Sequence, residues 1–449
     1  MKGLLLLSIL NLAGVAALHA AAGPEIPQPS PPNVVLIVSD DQAWTDYGFM
    51  GHPLIRTPRL DRLAAESLLF THGYVPGSLC CPSLASIITG LYPHQHGITS
   101  NEPPRRLAQG NPYRDDPQFL GDLEYLNSRM REAPALPRML EPLGYRSFQS
   151  GKWWMGSPGN GGFTEGMTHG DPARGGRHGD EGLRIGREGM EPVFDFIRRC
   201  GDKPFFVWYA PFLPHTPHDP PERFLAKYRD ATESPHVARY FAMCEWFDET
   251  CGALLDFLEE HSLSERTLVA YVADNGWIQD PEAPRYALRS KQSPYDGGLR
   301  TPLMLRWPGR ITPDRIERAV SSIDLAPTLL KACGLQAPAA MPGVDLRDLD
   351  AVQERRTVFG DCHLHHAIDV RDPTANWTYR WCLRDGWKLI LPNPKNVGEG
   401  APPGAAGSGR VELYHVAEDP HETQDLAASE PDKVMELSAA IEAWWPAKP

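Results

Sequence analysis

The chain has 449 residues, 41% of them hydrophobic, with 44 Lys and Arg against 57 Asp and Glu, a formal net charge of −13. That balance excludes nucleic acid as a general partner, because no basic footprint is present to neutralise phosphates. An anionic substrate stays open, since a local cationic pocket can sit inside an acidic protein, and the length suits one large core or a large and a small domain.

The chain begins with Lys2 and an apolar run interrupted by Ser8, Asn11 and Gly14, then the small residues Ala20, Ala21 and Ala22. Residues 1–22 therefore read as a cleaved signal peptide, which predicts an exported protein, periplasmic or secreted. No later run is long and apolar enough to span a bilayer, so no stable membrane insertion is expected after cleavage. Export permits disulfides. Eight cysteines follow: Cys80, Cys81, Cys200, Cys244, Cys251, Cys333, Cys362 and Cys382. Their connectivity cannot be read from spacing. Cys244 and Cys251 lie in a helical stretch and read as core fillers.

Strand-like runs then alternate with helical ones, which predicts an α/β domain with a largely parallel sheet. Val34 to Val38 ends in Ser39-Asp40-Asp41. Tyr145 to Gln149 ends in Ser150-Gly151-Lys152. Phe205 to Tyr209 is followed by Pro214-His215, and Leu268 to Val272 by Asp274-Asn275. In open α/β sheets the site forms outside the carboxyl ends of the strands. Four strands thus bring carboxylates, a lysine and a histidine to one edge. Residues 59–69 and 235–260 read as helices, the second packing on the core. Residues 101–133 and 156–190 read as irregular loops. A composition change at 336–356 reads as a linker, which divides 23–350 from a smaller unit at 351–449. There, Trp387 to Leu391 and Val411 to Val416 read as strands, 392–409 as a surface loop, and 430–445 as a final helix.

The stretch SLCCPSLASIITG, residues 78–90, places two cysteines at a helix mouth. Pro82 suits the first turn, Leu84, Ile87, Ile88 and Leu91 would face the core, and Gly90 fits the C-cap. A helix N-terminus favours an anion, so the position would lower a thiol pKa or hold a sulfate or phosphate.

These residues also carry a resemblance. Cys80-x-Pro82-Ser83 followed by Thr89-Gly90 resembles the signature of the type I sulfatases, Cys-x-Pro-Ser-Arg and then Thr-Gly. SDDQ (39–42) and DNG (274–276) resemble the family's metal motifs. GKWWMG (151–156), PHTPH (214–218), KQSPYDGGLRTPLMLRWPG (291–309, with Asp296 where Glu is common) and LYHVAEDPHETQDLA (413–427) resemble further family segments, in the family's order. The match spans about residues 33–427.

The resemblance implies an alkaline-phosphatase-like fold: a central mixed, largely parallel sheet flanked by helices, with a smaller C-terminal α+β subdomain. It implies a sulfuric ester hydrolase acting on a sulfated small molecule or saccharide. Cys80 would be converted to formylglycine by a formylglycine-generating enzyme, and its hydrate would be the nucleophile. Asp40, Asp41, Asp274 and Asn275, with the diol at position 80, would bind Ca²⁺ or Mg²⁺, since hard oxygens suit these ions and not zinc. Lys152 and Lys291 would neutralise the sulfate, and His215 would protonate the leaving alcohol. Covalent catalysis would split one hard step into two. Cys81 fills the variable position.

The chain departs from the pattern at two places. Leu84 stands where the signature has arginine, and Trp154 where the family usually has histidine. Trp cannot move a proton at neutral pH. The loop at 162–183 holds His169, Arg174 and His178, which are expected to bind substrate or to supply the missing imidazole; Trp154 is expected to stack on a sugar ring. His94 and His96 read as structural. The alternatives are a phosphonate or phosphate ester hydrolase of the same superfamily, or an anion-binding homologue without catalysis.

Overall fold

The computed structural model describes residues 31–107, 109–398 and 407–447. The expected signal peptide lies outside them. The strands in chain order are β1 (Asn33–Ser39), β2 (Leu68–Tyr74), β3 (Arg146–Gly151), β4 (Glu165–Gly166), β5 (Phe205–Ala210), β6 (Thr267–Ala273), β7 (Arg300–Arg306), β8 (Asp314–Ile316), β9 (Val320–Ser321), β10 (Thr357–His363), β11 (Trp377–Arg384), β12 (Trp387–Pro392) and β13 (Glu412–His415). The large sheet runs β4-β3-β5-β1-β6-β7-β2-β8, with β9 beside β2. From β4 to β6 every pairing is parallel; β7 runs antiparallel to both β6 and β2.

Strand periodicity sorts the core. Val34, Leu36 and Val38 of β1 face a layer built by helices Cys80–Thr89, Leu136–Leu140 and Leu325–Ala332. Val35 and Ile37 face the opposite layer, built by helices Pro58–Ala65, Glu191–Cys200 and Pro235–Glu260. A two-residue period buried on both faces is what a central parallel strand requires.

Two readings of the sequence are corrected. Residues 101–133 are not irregular throughout, because Pro117–Glu132 is a helix. Asp116 caps it by accepting from the Gln118 and Phe119 amides, and Pro117 occupies its first turn. The helix expected at 59–69 ends at Ala65, and β2 follows. The Phe-, Leu- and Thr-containing run there packs as an interior strand.

The strands β10 to β13 form a second, antiparallel sheet. One face packs on Tyr74, Val75, Tyr295 and Leu299, and the other on Leu437 and Ile441 of helix Pro431–Trp444. A buried ion cluster pins this sheet to the rest. Lys388 Nζ of β12 lies 2.7 Å from Asp296 Oδ1 and 2.8 Å from Glu422 Oε1, and all three side chains are at most 1% exposed. Asp296 also accepts from the Tyr74 hydroxyl. Removing one partner leaves buried charge uncompensated. Lys388→Met should therefore cost about 3–5 kcal/mol of stability, read from urea unfolding; an unchanged midpoint would refute that role for the cluster.

Candidate active site

The site grows from the carboxyl ends of four strands. β1 ends at Ser39, and Asp40 and Asp41 follow; Asp41 sits at φ 64°, in the left-handed region that non-glycine residues rarely enter. β6 ends at Ala273 and hands over Asp274 and Asn275. β3 ends at Gly151 with φ 82°, where an added Cβ would lie 1.8 Å from the Ala210 carbonyl oxygen. Only glycine fits there, and the turn lets the Lys152 amide donate to that same oxygen at 2.7 Å. β5 ends at Ala210, and the loop after it carries His215.

Two further segments close the group. Helix Cys80–Thr89 is buried at all ten positions, and Gly90 caps it in the left-handed conformation. The segment with Lys291 is tied to the start of this helix, since the Gln292 amide donates to Ser78 O and Ser78 Oγ donates to Ser293 O.

Opposite charges alternate in the cluster. Lys152 Nζ lies 2.5 Å from Asp40 Oδ1 and 3.5 Å from Asp274 Oδ2. Lys291 Nζ lies 2.7 Å from Asp41, and His215 Nε2 lies 3.3 Å from Asp41 Oδ2. Asn275 Nδ2 donates to Asp41 Oδ1 at 2.7 Å, while its Oδ1 faces Cys80 Sγ at 3.4 Å. Asp274 Oδ1 accepts from the Asp41 amide.

The electrostatics follow from burial. Burial raises Asp40 well above the usual carboxylate range, against the pull of Lys152. Burial would raise Asp41 too, but Lys291, His215 and Lys152 outweigh it and hold that carboxyl low. Burial also pushes the Cys80 thiol up to about 12, against Lys152 and Lys291. Desolvation opposes the expected lowering of a thiol at the helix mouth, and the Cys81 amide there donates to Asn101 Oδ1 at 2.9 Å. His215 is held well below its ordinary value by burial, opposed by Asp41.

Comparison with known proteins decides the class. The sulfatase family model matches residues 32–335, and the model described as N-sulphoglucosamine sulphohydrolase, C-terminal, matches 285–390. The chain belongs to the sulfatase family. Such enzymes are sulfuric ester hydrolases. The chain is 31% identical over 385 residues to N-acetylgalactosamine-6-sulfatase of Canis lupus familiaris, covering 76% of this chain and 68% of that one. Among solved structures, one in complex with its substrate D-glucosamine-2-N,6-O-disulfate superposes with a TM-score of 0.70 at 19% identity, covering 93% of this chain and 98% of that chain. The phosphonate monoester hydrolase of Agrobacterium radiobacter has a TM-score of 0.62 at 17% identity, covering 92% and 95%. These two share the fold.

The sulfatase site fits a hard divalent cation. Asp40 Oδ2 and Asp274 Oδ2 are buried oxygens with no hydrogen-bond partner among the described residues. Ligand atoms of Asp40, Asp41, Cys80 and His215 all lie within 4.8 Å of one another. Asp274 and Asn275 adjoin this group through Asp41 and Cys80. An oxygen-dominated set with unpartnered carboxylate oxygens suits Ca²⁺ or Mg²⁺.

The eight residues expected at the sheet edge and helix mouth are therefore together. Of the four expected in or near the loop at 162–183, two adjoin them. Trp154 and His178 have ring centroids 5.1 Å apart, His178 is 5.5 Å from Phe212, and Phe212 stacks on His215 at 4.2 Å. The His178 Nδ1 and Trp154 Nε1 are buried without partners. His169 instead accepts from the Asp171 amide inside its own loop, and Arg174 is exposed. Leu84 lies in the hydrophobic core. Cys81 is also core, and all eight cysteines are buried free thiols. His94 and His96 hold structure: His94 Nδ1 meets Asp361 at 3.0 Å, and His96 faces Ser86 Oγ.

Sequence reading missed Phe212, Glu102 and Arg177. Arg177 lies over the Trp154 ring, 5.0 Å from its centroid. Its only signal is adjacency to His178, which Arg174 nearly shares. The turn at Gly151 yields a direct test. Gly151→Ala should displace Lys152 and lower kcat/KM for an aryl sulfate about a hundredfold, the cost of a misplacement near 1 Å; wild-type kinetics would show that the turn does not position the lysine.

Proposed function

We propose that this chain hydrolyses sulfate esters of carbohydrates, using Cys80 matured to formylglycine and a Ca²⁺ held by Asp40, Asp41, Asp274, Asn275 and position 80. One observation carries this reading. Cys80 Sγ sits 3.4 Å from Asn275 Oδ1, inside a closed cluster of three aspartates and two lysines. The sulfated saccharide is supported by the relative that acts on an N-acetylgalactosamine sulfate. Export rests on the leader-like sequence at 1–22. No described helix is long and apolar enough to cross a membrane.

When present, the modified residue supplies an oxygen nucleophile at position 80, and the cation supplies positive charge beside the sulfate oxygens. The remaining work belongs to side chains of this chain. Lys152 and Lys291 are kept charged by their aspartates and act as fixed, desolvated cations toward the anionic group. His215 Nδ1 is 2.6 Å from the Thr216 carbonyl, which places the ring proton there and turns Nε2 toward the site. Burial disfavours a second proton on Nε2 and Asp41 favours it by accepting from it; in that form the ring can pass the proton to the leaving alkoxide oxygen. Trp154 and His178 line the wall beside His215, His178 reaching it through Phe212.

Peptide mass analysis of protein from its native host tests the nucleophile. The Cys80 peptide should lose two hydrogens and exchange sulfur for oxygen; an intact thiol in active protein would overturn the mechanism. Cys80→Ala should abolish sulfate release, and Cys81→Ala should retain it. Faster turnover of an aryl phosphonate than of an aryl sulfate would move the assignment to the phosphonate hydrolases. For the cation, a hundredfold excess of Ca²⁺ over its Kd should add about 2.7 kcal/mol of stability in thermal melting. Asp274→Asn should remove most of that gain, and equal gains in both proteins would place the ion elsewhere.

A further inference from the structure

We propose that Arg177 is a specificity-determining residue that recognises a second anionic substituent, a carboxylate or a sulfate, on the saccharide whose ester is hydrolysed. This inference rests on the sulfatase reading and adds a determinant outside the nucleophile cluster.

Lys152 and Lys291 are committed groups. Their side chains are 1% and 8% exposed, and each lies against an aspartate. Arg177 stands outside them on the rim, with its side chain 39% exposed. Nη2 donates to Glu102, whose side chain is 5% exposed. Glu102 also accepts from the Tyr113 hydroxyl at 2.6 Å. Its backbone is pinned to the segment after β10, through its amide to His365 O and from the Ala367 amide to its own carbonyl. The guanidinium is therefore aimed by a buried carboxylate and lies between the Trp154 ring at 5.0 Å and the Tyr113 ring at 5.9 Å.

A guanidinium has five N–H groups in a planar fork. Among the described residues only Nη2 is engaged, by Glu102. The others remain for a ligand, and a fixed fork matches the oxygen pair of a carboxylate or sulfate. The crevice beside it, lined by Asn101, Glu102, Tyr113, Asn127, Trp154 and Arg177, has room for no more than a water, so a ligand meets Arg177 on its exposed side. Arg105 is exposed on the same rim, where His366 lies in the field of both arginines. Glu102 neutralises the Arg177 charge, so what Arg177 offers an anion is its remaining N–H groups, and Arg105 adds positive charge nearby. Arg177 covers a face of the Trp154 ring, and from the rim it meets what projects from the saccharide beyond the reacting group. Glu102 and Tyr113 are positioning residues.

The experiment compares three substrates with the full chain: 4-nitrophenyl sulfate, a monosulfated saccharide, and the same saccharide carrying a second sulfate or a uronate carboxylate. Wild type should prefer the doubly anionic saccharide. Arg177→Gln should lose about ten- to a hundredfold in kcat/KM on it, mainly through KM, and lose distinctly less on the singly anionic pair. Arg177→Lys keeps the charge without the fork and should restore part of the preference; Glu102→Gln should weaken the preference in the same direction. Equal fractional loss on all three substrates would place Arg177 at the scissile group and overturn the assignment, as would no loss on any. A Gln variant that melts early is replaced by the Lys variant, judged by the same ratio. Failure of wild type to release sulfate from 4-nitrophenyl sulfate would count against the sulfatase reading instead. Calorimetric binding of the doubly and singly anionic saccharides to wild type and Arg177→Gln then decides the Arg177 assignment by itself.

Discussion

Burial of several like charges in one place is the constraint on which the rest of this structure depends. Three aspartates and two lysines occupy one desolvated cluster at the edge of the large sheet, with Asp40, Asp41 and Asp274 at most 2% exposed. Burying such groups is costly unless each is paired and hydrogen-bonded. With every group ionised, two ammonium groups against three carboxylates leave one negative charge in excess, and the raised pKa of Asp40 is how burial resists that excess. A divalent cation would turn that excess into one positive charge, which a sulfate ester monoanion would neutralise. Two carboxylate oxygens of the cluster, Asp40 Oδ2 and Asp274 Oδ2, accept no hydrogen bond among the described residues. The proposed cation and sulfate ester would together balance the charges of the cluster.

The backbone is bent to meet this constraint. Asp41 holds a left-handed conformation so that consecutive aspartates serve one cluster. Gly151 permits a close approach to the Ala210 carbonyl that no side chain would survive. Helix Cys80–Thr89 is surrounded by protein on all sides, so its N-terminus cannot drift relative to the aspartates. That environment is also why Leu84 is tolerated: it fills the core next to Ile87 and Ile88. The positive charge that an arginine at that position would carry is absent from the helix, and Arg177 comes from the loop at 162–183.

The second sheet is part of the same design and not an appendage. Its segment after β10 holds Glu102 in place, and Glu102 aims Arg177. Its β12 lysine neutralises Asp296, which opens the helix Asp296–Leu299 just after the Lys291 segment. Asp361 of β10 binds both His94 and His363, and His94 stacks on Trp445 at 4.4 Å. The short helix Pro93–His96 that follows helix Cys80–Thr89 is thus tied to the last described helix. Shape at the rim and stability of the centre draw on the same contacts.

How much of this was legible beforehand depends on how each residue is placed. Asp40, Asp41, Lys152, Asp274 and Asn275 follow directly on strand ends, so identifying the strands brings their side chains to one edge. The helix mouth at Cys80 was equally local, written in Pro82 and Gly90. The helix Pro117–Glu132 was harder, because a capping aspartate and proline stood among loop-like neighbours and Gly121 lies within it. The loop at 162–183 was not readable in detail. Arg174 and Arg177 are three residues apart with the same chemistry, and only long-range partners separate them: Arg177 meets Glu102, seventy-five residues away, while Arg174 stays exposed. By itself the sequence determined the family, the fold class and the residues of the charged cluster, because local chain geometry carries them to the sheet edge. The tertiary structure decided the burial of Cys80, which pushes its thiol pKa up, and the walls of the site through contacts between distant segments, which no spacing along the chain encodes.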